Sequence, residues 1–168
     1  ALSLACFSTI NRHLVEFLLE QGADPDFTPD NKGWLPLVRG TDVELIRLLV
    51  SRGADINRRT PQGSYCLHAM ARRNSALTAC ALELGADPTL TDAKGCTALM
   101  MVTTIDPTIL LHQAAPQMLH HRDNDGNTAL HCIAAKAQYT DKPDAEDISH
   151  YPGIGAKATL CTNIGVSL

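Results

Sequence analysis

Residues 42–70, DVELIRLLVSRGADINRRTPQGSYCLHAM, carry a grammar that returns on both sides at a spacing of about 31 residues. A period of this length calls for a row of small supersecondary units rather than one globule around a single centre. Val43, Leu45, Ile46, Leu48 and Leu49 form an apolar helical stripe. It stops at Gly53, the residue type that takes a left-handed conformation after a helix end without steric penalty. Asp55 is then placed to accept backbone N–H groups in a turn, and Gly63 permits a positive φ before Tyr65-Cys66-Leu67-His68 opens a second apolar helix. The order is helix, projecting hairpin, helix.

That order resembles the ankyrin repeat, whose signature is Thr-Pro-Leu-His-x-Ala with a period of about 33 residues. Leu67-His68-Ala69-Met70-Ala71, Thr97-Ala98-Leu99 and Thr128-Ala129-Leu130-His131-Cys132-Ile133-Ala134 carry the resemblance, with Gly22-Ala23-Asp24, Gly53-Ala54-Asp55 and Gly85-Ala86-Asp87 closing units. It implies an all-α ankyrin-repeat solenoid of stacked helix-turn-helix units with projecting hairpin loops. On this reading the single domain divides into units 1–32, 33–62, 63–94, 95–125 and 126–168. Leu2-Ser3-Leu4-Ala5-Cys6 falls within a signature and the last residues fall within a hairpin, so the native polypeptide is expected to extend beyond both ends. The second unit lacks roughly a helical turn before Thr41, which predicts a stunted inner helix at positions 37–40. In the fourth unit the outer helix is read from Pro107 to Ala114, and Pro116-Gln117-Met118 stands where Gly-Ala-Asp is expected. The fifth unit holds an insertion at about 138–155, a loop with Pro143, Pro152, Gly153 and Gly155.

Composition narrows function. Apolar residues make up 45% of the chain, yet there are only one Trp, three Tyr and three Phe; small aliphatic side chains suit thin stacked layers. The net charge of −4 argues against a generic nucleic-acid binder. Cys6, Cys66, Cys80, Cys96, Cys132 and Cys161 have no CxxC spacing, and most fall where small core residues belong. They read as reduced thiols, which implies an intracellular protein, cytoplasmic or nuclear. The longest apolar region, 97–119, is broken by Asp106-Pro107, so no membrane segment is expected.

A stack of such units leaves one long concave face and no enclosed cavity, so the expected activity is docking of another protein. The family resemblance places partner contacts at the hairpin tips and inner-helix ends, here Lys32, Trp34, Arg59, Gln62, Arg72, Arg73, Lys94, Arg122, Asn127 and Lys136. Basic residues dominate these positions, although the whole chain has 14 Lys+Arg against 18 Asp+Glu. An acidic segment of a partner is the matching ligand, with Trp34 as a favoured anchor. The alternative is the docking or regulatory domain of an enzyme whose catalytic part lies outside this segment, a bacterial effector included.

No catalytic set, cofactor or metal is expected within the chain. His68 and His131 hold the His position of the signature, where the family uses the imidazole to bind a neighbouring hairpin. His120, His121, His131 and Cys132 lack the spacing of a tetrahedral zinc site. Cys96 has no base placed beside it, and Gly153-Ile154-Gly155 is too short for a phosphate loop. Asn57 resembles the hairpin asparagine that some ankyrin proteins have hydroxylated; tying the hairpin through its amide is its default role.

Overall fold

The computed structural model describes residues 12–27, 35–40 and 42–137. Among them lie helices α1 (Arg12–Glu20), α2 (Pro36–Arg39), α3 (Val43–Ser51), α4 (Cys66–Ala71), α5 (Ser75–Glu83), α6 (Ala98–Met101), α7 (Ile105–Ala114) and α8 (Ala129–Ala137). A 3₁₀ turn at Pro116–His120 separates α7 from α8. The fold is all-α: among the described residues, extended pairing is limited to one antiparallel bridge between Thr91 and Thr97.

The helices sort into two rows. Inner helices α2, α4, α6 and α8 pack each on the next, outer helices α3, α5 and α7 do the same behind them, and each inner helix of the first three pairs with the outer helix that follows it. Leu37, Ile46, Leu49, Met70, Leu77, Leu99, Met100 and Leu111 are all but inaccessible and form the continuous core between the rows. Full burial of such a side chain contributes about 1.5–3 kcal/mol. Since each layer supplies only part of this surface, its stability rests on its neighbours.

Local chemistry sets the helix ends. Asp42 and Asn74 cap α3 and α5 by accepting the backbone N–H of Leu45 and Leu77, both at 2.8 Å. At the other end, Gly53 N–H donates to the Val50 carbonyl and Ala54 N–H to that of Leu49, and the same pair of bonds recurs at Gly22-Ala23 and Gly85-Ala86. This closure requires the positive φ that glycine supplies. Asp24, Asp55 and Asp87 then accept the N–H two residues on, at 2.8, 2.9 and 2.8 Å, which turns the chain toward the next hairpin. Between outer helices, Arg12 faces Glu44, Arg47 meets Glu83 and Arg52 approaches Glu20. These exposed pairs fix register more than stability.

Helix α2 is short, as the missing turn before Thr41 implies: it is four residues long and stops at Gly40, where a Cβ would collide with the buried Ile46 side chain. Several other details differ from the sequence reading. Helix α6 is equally short, because Val102 already adopts an extended conformation. Counting residues hid this, since the loop before α7 has three residues, as between α4 and α5, and the surplus lies beyond α7 in the 3₁₀ turn. That outer helix begins at Ile105 rather than Pro107. Without a Gly-Ala-Asp closure, Ala115 N–H returns to the Leu111 carbonyl and the chain passes into the 3₁₀ turn. Threonine ahead of a helix commonly caps it, but the Thr97 hydroxyl makes no such bond to α6 and is buried with no hydrogen-bond partner among the described residues. The 138–155 insertion lies outside the described residues.

Candidate partner-binding groove

The described tip loops, 60–64, 92–96 and 123–127, share one construction. The N–H of the first residue donates to the carbonyl of the fifth, at 2.7 Å from Thr60 to Ser64 and 2.9 Å from Asp92 to Cys96 and Asp123 to Asn127. The first side chain then accepts the N–H of the fifth: Thr60 Oγ1 from Ser64 at 3.0 Å, Asp92 Oδ1 from Cys96 at 2.9 Å and Asp123 Oδ1 from Asn127 at 2.7 Å. Burial works against the Asp123 carboxylate, but the Asn127 amides and the Asp125 N–H outweigh it and hold this carboxyl below the usual range. The hairpin aspartates are thereby engaged by their own loops. Adjacent tips also touch: Asn124 N–H donates to the Lys94 carbonyl at 2.9 Å and its side-chain amide to the Ala93 carbonyl at 3.3 Å.

Between these tips and the inner helices runs an open groove of about 620 Å³. Val38 and Arg39 of α2, Thr60, Gln62 and Ser64 of the first tip, His68, Ala69, Arg72 and Arg73 at α4, then Asp92 and Met101 line it. His68 anchors its floor. The Nε2–H donates to the Cys96 carbonyl of the next hairpin at 2.9 Å, as the family resemblance implies. Burial holds the imidazole below its ordinary pKa; the Cys96 bond and the Asp92 charge act the other way. A neutral ring with Nδ1 unprotonated fits this geometry, since Nδ1 is buried without a partner. His131 behaves differently: its Nδ1 meets the Thr128 hydroxyl at 2.8 Å on its own helix.

The residues singled out from sequence divide into distinct groups. Arg72 and Gln62 are exposed in the groove, and the Arg72 guanidinium has no partner among the described residues. Arg73 also lines it but donates from Nη1 to the Gly40 carbonyl at 2.7 Å, thereby sealing the end of the stunted helix. Arg59 and Arg122 fold back on their own tips, to the carbonyls of Gly63 at 3.4 Å and Gly126 at 2.8 Å. Asn127 is half-buried and gives its amide to Asp123 Oδ2 at 3.2 Å. Lys94 projects from the second tip outside the groove. Lys136 lies on α8 with its side chain outside the described residues, as are Lys32 and Trp34 entirely. Leu35, next to Trp34 in sequence, lines a second notch of about 520 Å³ with Arg58, Arg59, Pro61 and Gln62.

Arg39 and Met101 were missed. In both layers with short helices the inner helix ends early, which brings Arg39 and Met101 to the groove, while Thr104 and Ile105 open the outer helix. The signal for Arg39 was its place just before Gly40 in a helix begun at Pro36. Asn57 is committed to structure: its Nδ2 donates to the Gly85 carbonyl at 2.9 Å and its Oδ1 accepts from Asp87 at 2.8 Å.

The four described cysteines, Cys66, Cys80, Cys96 and Cys132, are not in disulfides. Burial pushes Cys66 up to about 12 and Cys96, beside Asp92 and Asp123, up to about 11. Neither is set up as a nucleophile at neutral pH. Among the described residues no three His, Cys, Asp or Glu side chains gather to hold a metal, and no helix is long and apolar enough to cross a membrane.

Two rows of helices, glycine-closed outer helices and a tip braced by a histidine from the preceding inner helix define an ankyrin-repeat protein, and the chain belongs to that class. It is 35% identical to human SH3 and multiple ankyrin repeat domains protein 2 over 123 residues, covering 66% of this chain and 7% of that protein. The mouse SH3 and multiple ankyrin repeat domains protein 1 matches at 35% over 125 residues, 68% of this chain and 6% of the relative. Its human counterpart matches at 40% over 88 residues, 49% of this chain and 4% of the relative. The chain thus spans only a small fraction of the curated relatives it matches. No protein-family model matches it.

Proposed function

We propose that this segment is a non-catalytic protein-interaction module that docks an acidic segment of a partner in the groove between its inner helices and hairpin tips. The observation that carries the reading is the uncommitted Arg72 guanidinium beside Arg73, facing a groove in which Asp92 Oδ1 is already occupied by the amides of Lys94 and Cys96. A carboxylate approaching from solvent meets the free Arg72 guanidinium, while Asp92 Oδ1 is already satisfied by its own loop. Complementary potential of this kind speeds encounter and sets orientation more than it adds affinity. The ankyrin-repeat relatives support a protein ligand in general. The net charge of −4 disfavours nucleic acid or an anionic membrane as the alternative, and buried free thiols fit a reducing, intracellular setting.

Titration of a Glu-rich peptide into isotopically labelled protein tests this at low salt. Amide shifts are expected at 60–64 and 69–73, weakening as salt rises, and Arg72→Glu should abolish them. Shifts confined to another face, or unchanged in that variant, would refute the groove as the docking site.

A further inference from the structure

Asp26 and Asn57 hold the same place in successive turns, two residues beyond the aspartate of Gly-Ala-Asp. Asn57 links its layer to the next with both ends of its amide, donating to the Gly85 carbonyl and accepting from Asp87 N–H. Asp26 reproduces half of that link: its Oδ2 accepts from Asp55 N–H at 3.0 Å. The remaining oxygen, Oδ1, is buried with no hydrogen-bond partner among the described residues, on a side chain whose residue is only 8% exposed. In this layer the counterpart of Gly85 is Gly53, which closes its helix with the same positive φ. Its carbonyl, like a carboxylate oxygen, can only accept.

We propose that Asp26 is a proton-operated latch between the first two layers: the neutral carboxyl donates its O–H to the Gly53 carbonyl and completes the link that Asn57 makes, while the ionised form leaves a single bond. Only a proton moves, exchanged with solvent. The charged and titratable neighbours are Asp24, which accepts Asp26 N–H at 2.8 Å, Asp55, Arg58 at 3.7 Å from Oδ2, and the Cys66 thiol, which is neutral in this range. Burial is the largest influence and raises the carboxyl above its ordinary pKa; the Asp55 amide and Arg58 oppose it, and the Asp24 and Asp55 charges add to it.

The sign of the linkage follows. With the folded pKa above the unfolded one, the latch contributes fully below the unfolded value of about 4 and is lost as pH rises through the folded value. Acidification therefore tightens the first junction, whereas the Asn57 junction is indifferent to pH.

Urea unfolding of the 168-residue chain at a series of pH values between about 4 and 7.5 tests the latch with Asp26→Asn and the reciprocal Asn57→Asp. Asp26→Asn should raise the folding equilibrium constant about tenfold at the upper pH, the scale of restoring one buried hydrogen bond, with the gain shrinking as pH falls. Asn57→Asp should do the reverse, losing stability at the upper pH and regaining it on acidification. The latch is overturned if Asp26→Asn is no more stable than wild type at the upper pH, or if the gap between them does not vary with pH.

Discussion

Replacing Gly95 with alanine separates two costs that a glycine can conceal. Gly95 has φ of +75°, so any side chain there is held in the left-handed region, at about 1–2 kcal/mol. An added Cβ would also lie 2.6 Å from Asn124 Oδ1 and 3.0 Å from its backbone nitrogen, so the neighbouring tip must move. That movement strains or breaks the two bonds from Asn124 to the Lys94 and Ala93 carbonyls, at about 1 kcal/mol each. The total is about 3–4 kcal/mol. Gly85 is the control: its φ of +88° carries the same conformational strain, but nothing lies within 4 Å of a Cβ built there. Gly85→Ala should therefore cost only about 1–2 kcal/mol. With a urea slope of about 2 kcal/mol/M for a domain of this size, the midpoints of the two variants should differ by about 1 M. Far-UV circular dichroism reads the midpoints, and the Asn124 amide resonance in Gly95→Ala reports the displaced tip. Equal midpoints for the two variants would show that the tips do not brace one another.

Three further outcomes follow from the same geometry. Arg72→Ala should leave stability within about 0.5 kcal/mol of wild type, whereas Arg73→Ala should lose about 1.5 kcal/mol through the Gly40 carbonyl, and thermal unfolding distinguishes them. His68→Ala should cost about 3 kcal/mol in urea unfolding by leaving a cavity and an unpaired Cys96 carbonyl. Because the His68 pKa is lowered on folding, its contribution is complete above the unfolded value of about 6.5 and is lost as pH falls toward the folded one, so the variant should show a shallower loss between about pH 6.5 and 5. Iodoacetamide at about pH 8 should leave Cys66 unlabelled in peptide mapping of the native protein, since a thiol at about 12 holds roughly one part in ten thousand as thiolate; prompt labelling would contradict its burial.

The docking test also depends on where each arginine was found. Arg59, Arg72 and Arg73 look alike in sequence, yet Arg59 and Arg73 spend hydrogen bonds on backbone carbonyls and Arg72 does not. Replacing all three together would mix a folding effect with a binding effect. A single substitution at Arg72 keeps them apart.

Periodicity, glycine placement and the spacing of Gly-Ala-Asp determined the class of fold from the sequence alone, because helix stripes and left-handed closures are local and each repeats its own instructions. The same locality made Asp55 readable as a turn former. What the sequence could not decide was which side chains remain available. Arg73 reaches Gly40 across 33 positions, Asn57 reaches Gly85 across 28, and the Thr97 hydroxyl finds no partner among the described residues. Those outcomes depend on how one layer sits against the next, and of the two short inner helices that shift this registry only α2 leaves a mark that residue counting detects. Hydrogen bonds between layers form only after stacking, so the tertiary structure alone separated the residues that hold the array together from those left free to meet a partner.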